Sequence, residues 1–553
     1  MDDFARIAGM TSSEPPIDCQ RPFSNFHFID SRFGGCWPLR RILSQVRLLN
    51  GKTLILEILN KSKDISEEDE DIKQLCANFD PSKIKTYRIS FFSSVVKSIK
   101  EIESISDKNF LGYAILRNYI IPATPGILDE KKDEFRIYES VMKQSRHDNN
   151  YVRQTPTWQC RVDDKLFKIS GHLYAQQNGL SNSCSHVALR AAAGIFQKSD
   201  ISYRDINRVV ADYRTRNSLP QKTPNKGLTN KEISAVLESL GAKCFVGDFT
   251  GEAQNKPEVH YQKYLYGAIE SGFPAIVFFG FEPEDSATHK SELKYHVIPM
   301  FGHTFNEDTW VPDANIMYFP FRTKTKTLSS DNWLSMFIGH DDNAGSNYCT
   351  PQHYLEPMRL CPKKNYKERC PSQKGFVAYA IGTIPAKIEV DPIEAELVAA
   401  DLLPPVLESA PKKYCPWQSR LEIYLKHKLL VLRPLLISGA EYQKHLRKIR
   451  GWDNSKIPEN MIESFGVFDN DDLWMVELSV PELFSANKRK IGEILISTNK
   501  KLDPTRNFES FCFARIPGCF AFLDKIDSSG KPIFNYFQVG VQDHVEIFGS
   551  EES

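Results

Sequence analysis

The amino-acid sequence predicts an α+β protein. A helix that starts at a cysteine packs on an antiparallel sheet that bears a histidine, and a further α/β or α+β unit flanks this domain on each side. Three observations predict this. The run Gln177-Asn-Gly-Leu-Ser-Asn-Ser-Cys184-Ser-His-Val-Ala-Leu-Arg190 passes from a polar loop into an apolar helix. Far downstream, Tyr295-His296-Val-Ile-Pro-Met-Phe-Gly-His303-Thr-Phe-Asn-Glu-Asp308-Thr-Trp-Val-Pro-Asp313 has the pattern of two short strands around a turn. Strand-like and helix-like runs also alternate before and after these segments, within a chain of 553 residues, long enough for more than one domain.

Taken in order, residues 1–155 read as an N-terminal α/β unit, with strands at Lys52–Leu59 and Phe110–Arg117 and apolar residues at helical spacing over Ser93–Ile102. Between them, Ser66-Glu-Glu-Asp-Glu-Asp-Ile72 carries five consecutive acids, which repel one another and predict a solvated loop. The middle unit, 156–390, opens with strands at Trp158–Val162 and Lys165–Ser170. It continues with the Cys184 helix, a helix within Gly227–Gly241 and a strand within Gly272–Phe279. Near its end, Ile338-Gly-His340-Asp341-Asp342-Asn-Ala-Gly345 is a polar, glycine-bearing loop that is expected to line a cleft. Its three adjacent polar residues seldom converge on one metal ion. Three prolines in Asp401–Pro411 place a linker at 391–412. The C-terminal unit, 413–553, then combines a basic apolar helix over Arg420–Leu432 with strands at Leu473–Val480 and Lys490–Ser497. Neither flanking unit carries a recognisable motif.

The chemistry is concentrated in the middle unit. Unpaired backbone N–H groups at a helix N-terminus stabilise a thiolate and can hold a developing oxyanion, so Cys184 is placed as a nucleophile. Gln177 is a second donor to that oxyanion, and Gln176 and Asn178 compete with it because a shift of one residue exchanges them. If the loop lies at His303–Asn306, antiparallel pairing sets His296 opposite Asp313, so that the carboxylate orients the imidazole and the other ring nitrogen faces the sulfur. His303 then falls in the turn as an alternative base, and Asp308 is the alternative acid. His186, two residues beyond Cys184 on the same helix, faces elsewhere and reads as a packing residue.

In this chain order, Gln177, Cys184, His296 and Asp313 resemble a papain-like cysteine peptidase, and are most similar to its bacteriocin-leader-processing branch. The segments Gly227–Gly241 and Gly272–Phe279 resemble that branch's helix and the strand before its histidine, so the resemblance covers residues 156 to 385. Two positions depart from the pattern. The branch has Cys-Gly-Pro/Leu-Ala where this chain has Cys184-Ser-His-Val-Ala, and its glutamine sits where this chain has Asn178. The resemblance implies hydrolysis of a peptide or isopeptide bond through a thioester, with a protein or peptide substrate and neither cofactor nor metal. A bacterial source would suit it. The same triad on related folds transfers acyl groups to amines, as in transglutaminases, and a peptidase-like domain can also bind a peptide without cutting it.

Composition bounds the rest. Seventy basic and seventy acidic residues cancel, and with a sequence pI near 7.2 there is no single-sign field to attract nucleic acid. No apolar run reaches the ~18 residues that span a bilayer, and the N-terminus Met1-Asp-Asp-Phe-Ala-Arg lacks a secretory pattern. Twelve scattered cysteines without CxxC spacing read as the reduced thiols of a cytoplasmic protein, a setting that keeps Cys184 free.

Overall fold

The computed structural model describes residues 10–549 apart from internal segments, the longest of which are 122–131, 251–258, 282–293, 307–315, 318–326 and 358–374. The described chain is mixed α+β and is built on three large, mainly antiparallel sheets.

The first sheet holds β1 (Met10–Ser13), β2 (Ile17–Asp18), β3 (Thr53–Leu59), β4 (Thr86–Phe92), β5 (Phe110–Ile121) and β6 (Lys132–Met142). Helices α1 (Phe26–Arg32) and α2 (Trp37–Leu48) cover one face, where Phe33, Leu39, Ile42 and Val46 meet Leu54, Leu56 and Ile89. β7 (Asn150–Tyr151) crosses to the second sheet, whereas the hairpin of β8 (Thr157–Val162) and β9 (Lys165–Ser170) covers the other face of the first. β10 (Leu173–Tyr174) then joins the first sheet beside β6.

The acidic run expected as a solvated loop is instead helix α3 (Lys63–Leu75), capped by Ser62. Its five acids do not repel freely, because cations meet them: Glu68 and Asp69 are buried against Arg117, and Glu70 and Asp71 pair with Arg204. The helical pattern at Ser93–Ile102 yields only a short 3₁₀ segment, Ile99–Ser104.

The second sheet lies at the centre of the molecule. It follows three helices, α4 (Cys184–Gln197), α5 (Tyr203–Arg216) and α6 (Asn230–Ser239), and Thr229 and Glu232 close a capping box on α6. It contains β11 (Ala242–Asp248), β12 (Ala275–Phe281), β13 (Lys294–Phe305), β16 (Leu334–Asp341), β17 (Gly345–Pro351), β18 (Glu356–Pro357) and β19 (Gly375–Pro385), with α7 (Tyr261–Glu270) between β11 and β12. Successive side chains of β12 alternate between two buried faces. Ile276 and Phe278 pack with α4 and α6, while Ala275 and Val277 pack toward α7 and the third sheet.

The third sheet runs β14 (Ile316–Met317), β15 (Thr327–Ser329), β20 (Val431–Ser438), β21 (Asp472–Ser479), β22 (Gly492–Ser497), β23 (Phe511–Ile516), β24 (Cys519–Ile526) and β25 (Pro532–Gln538). Residues 391–412, expected as a linker, are mostly a buried helix, Pro392–Glu408, wedged between the second and third sheets. An Asp391–Glu394 capping box and Pro392 at its first position start it well. Pro404 and Pro405 each remove a backbone hydrogen bond, but burial of Leu402, Leu403, Val406 and Leu407 between two sheets outweighs that loss.

Candidate active site

Cys184 is the first residue of α4, so its backbone N–H belongs to the unpaired first turn. Val187, Ala188, Leu189 and Ala192 bury the body of the helix, which leaves the half-buried sulfur at its end. Downstream, His296 lies near the start of β13, opposite Phe279 of β12. The Cys184 side chain lies within reach of the His296 ring and helps to raise its pKa.

The acid comes from a third element. β16 runs antiparallel to β13 with Gly339 opposite Met300, so its end and the turn after it reach His296. There the His296 Nε2 lies 3.3 Å from Asp341 Oδ1 and 3.3 Å from Asp342 Oδ1. Asp341 is fixed in turn by the backbone N–H groups of Asn343 and Ala344, at 2.8 and 2.9 Å.

The electrostatics follow from these neighbours. Burial alone would lower the pKa of His296, but contacts with Asp341 and Cys184 and the charge of Asp342 override it and raise the pKa to about 10. Burial likewise works against ionising Asp341, yet His296 and the two N–H groups hold its carboxyl below the usual range. For Asp342 burial wins. Helped by the charge of Asp341 and opposed by His296, it pushes the pKa up to about 6, and the Oδ2 atom is buried without a hydrogen-bond partner.

Three neighbouring residues compete as the oxyanion donor, and their contacts separate them. Gln176 turns toward the first sheet, where its Oε1 accepts from Ile137 N at 3.1 Å. Asn178 turns the same way and donates to Glu68 Oε1 at 3.0 Å. Gln177, between them, faces the acid turn instead, and its Nε2 donates to Asn343 Oδ1 at 3.3 Å. Thus Gln177 stands on the same side as the Asp341–Asn343 turn, and its two neighbours anchor the loop.

The other residues expected here take structural places. No turn forms at His303–Asn306, because Lys294–Phe305 is one continuous strand. His303 is fully buried within it, with Nε2 3.0 Å from Glu270 Oε1 and its ring stacked on Tyr151. His186 Nε2 meets Asn207 Oδ1 at 2.9 Å, and burial lowers its pKa. Both nitrogens of His340 are engaged in the wall behind the turn, receiving Asn347 N at 3.1 Å and reaching His172 O at 3.3 Å. Asp308 and Asp313 lie outside the described residues.

With both of its nitrogens so engaged, His340 does not share a ligand set with Asp341 and Asp342. Among the described residues, the set with suitable spacing is His296, Asp341 and Asp342, whose ligand atoms lie within 4.8 Å of one another. The sequence places Asp341 and Asp342 in a cleft-lining loop, but nothing local in it shows that the strand ending in that loop lies alongside the histidine strand. The local signal for the strand itself is the short, mostly apolar run Leu334-Ser-Met-Phe-Ile338 leading into a polar turn closed by Gly345.

No protein-family model matches the chain, and a search of curated proteins finds no match.

Proposed function

We propose that the protein is a cysteine hydrolase acting on a peptide or isopeptide bond, with Cys184 as nucleophile, His296 as base and then acid, and Asp341 as the residue that orients His296. The observation that carries this reading is the convergence of three separate elements. The start of α4, the start of β13 and the end of β16 bring a thiol, an imidazole and a carboxylate into one chain of contacts. An imidazolium held by two acids is the partner that stabilises a thiolate.

The steps follow from the geometry. The Cys184 thiolate attacks the carbonyl carbon, and the new oxyanion is held by the Cys184 N–H and by the second N–H of the Gln177 amide. Collapse expels the amine, which takes its proton from His296, and the acyl group remains on sulfur as a thioester. His296, now neutral, takes a proton from water as that water attacks the thioester. The acid leaves, and the thiolate–imidazolium pair re-forms. Asp341 stays ionised throughout and stabilises the cation.

The test is acylation by p-nitrophenyl acetate, followed by release of p-nitrophenolate and by intact mass. A hydroxylamine-labile acetyl adduct on Cys184, absent in Cys184→Ala and then lost to water, is expected. An adduct that waits for an added amine would favour acyl transfer. An unreactive Cys184 would turn the search to peptide binding without cleavage.

A further inference from the structure

Resting on that reading, we infer that the N-terminal unit is part of the catalytic apparatus, and that Asn178 and Glu68 are positioning residues that set the oxyanion donor Gln177. Gln177 itself sits in a loop that no secondary structure holds. What holds it is the first sheet and its acidic helix.

The anchoring is dense on the two sides of Gln177. Gln176 pairs with Ile137 of β6 through its backbone N–H, at 2.8 Å to Ile137 O, and through its side chain. Asn178 donates to Glu68 of α3, and its own Oδ1 accepts the Leu180 N–H at 2.9 Å, closing a tight turn. Leu180 then packs against the cluster of Ile72, Phe79, Ile84 and Tyr119. Since residues 176, 178 and 180 all turn into the N-terminal unit, residue 177 is left facing the acid turn.

Glu68 is in turn fixed. Its Oε2 receives Arg117 Nη1 at 2.9 Å and the Tyr119 hydroxyl at 3.3 Å, and the Arg117 side chain is fully buried with Asp69 on its other nitrogen. That leaves Glu68 Oε1 directed at Asn178. A carboxylate so tightly bound does not follow a moving loop; the loop follows it. The same unit also touches the other two catalytic elements. Arg190 of α4 binds Glu139 at 3.1 Å, and Arg41 of α2 donates to Ser346 O and Asn347 O beyond the acid turn at 3.3 and 3.1 Å.

Alkylation of a thiol by iodoacetamide needs no oxyanion hole, whereas acylation by p-nitrophenyl acetate passes through a tetrahedral oxyanion. The two reactions therefore separate loss of the hole from loss of the nucleophile. Asn178→Asp keeps the side chain's shape but sets a carboxylate against Glu68. We expect Cys184 acylation to slow by ~10–100-fold, as for a misplaced oxyanion donor, with the alkylation rate within about twofold of wild type. Adding Glu68→Gln restores a donor–acceptor pair with reversed polarity and should recover most of the acylation rate. The inference is overturned if acylation and alkylation fall together, if neither changes, or if the double variant shows no recovery. A wild-type Cys184 that alkylates yet never acylates would instead overturn the hydrolase reading, and this inference with it.

Discussion

One strand carries two histidines in two settings. His296 and His303 lie on β13, and each has a carboxylate within 3.3 Å. At His303 the acid is Glu270, which also binds Arg433 at 2.5 Å and lies in a dry stack of Tyr151, Tyr266 and Phe305. Burial alone would raise the pKa of Glu270, but Arg433 and His303 hold it down at about 2. From Arg433 the charges continue without a break through Glu477, Lys490 and Glu493 to Arg515, all buried. Each charged group in that chain has an ion-pair partner, although His303 Nδ1 is buried without one, and among the described residues no thiol adjoins the ring. At His296 the imidazole is only partly covered, has a thiol on one side, and faces two acids of which one is incompletely satisfied. A histidine–carboxylate pair is therefore no signature of chemistry on its own. The thiol and the access to solvent make the difference.

Removing groups at each end should separate these roles. Cys184→Ala and His296→Ala should each lower p-nitrophenyl acetate turnover by ~10³-fold or more, since each removes a reacting group, and Cys184→Ala should do so with little change in melting temperature. Glu270→Gln should do the reverse. It leaves the Arg433 cation buried with one acid fewer, and thermal unfolding should report a loss on the order of 3–5 kcal/mol. Below the melting transition, the alkylation rate of Cys184 should be preserved. Equal loss of activity in both sets of variants would erase the distinction between the two histidines.

Smaller effects sharpen the His296 end. Because the pKa of His296 is raised from the usual 6.5 to about 10, its charged form contributes stability in full below about pH 6.5 and loses it as the pH rises through about 10. Wild-type turnover should accordingly fall along an alkaline limb near pH 10. In Asp341→Asn that limb should move several units toward neutrality, with turnover at pH 8 reduced by ~10–100-fold. Asp342 has the opposite consequence for the fold. A carboxyl raised from 3.8 to about 6 contributes stability below pH 3.8 and loses it as the pH rises through 6, so the charged form strains the fold at neutral pH. Asp342→Asn should therefore raise the melting temperature at pH 8 and leave it nearly unchanged at pH 4, a difference that thermal melts at the two pH values would read.

Much of the fold was legible wherever one residue pattern answered to one environment. The strands at Thr53–Leu59, Phe110–Arg117, Thr157–Ser170 and Asp472–Ser479, and the capped helix at Asn230–Ser239, follow from alternation, helical spacing and caps. The failures share a cause, which is that distant partners reversed a local preference. The acids of α3 repel one another until Arg117 and Arg204 meet them. The prolines of 404–405 break a helix unless two sheets bury it. His303 and Thr304 read as a turn until Glu270 supplies a partner inside the strand. In the site, Cys184 and His296 could be read from a helix start and a strand start. The proposed acid, Asp341, could not, because nothing local says which later strand will lie beside β13.

The most direct test of the central claim is a limiting iodoacetamide pulse on the folded protein at pH 6, with peptide mapping of every cysteine in wild type and in His296→Ala. The account predicts that Cys184 labels ahead of the buried and half-buried thiols, such as Cys36 and Cys244, whose pKa values burial raises. It also predicts that this preference disappears in His296→Ala. A Cys184 that labels no faster than those thiols, or equally fast without His296, would contradict the thiolate–imidazolium pair on which the mechanism stands.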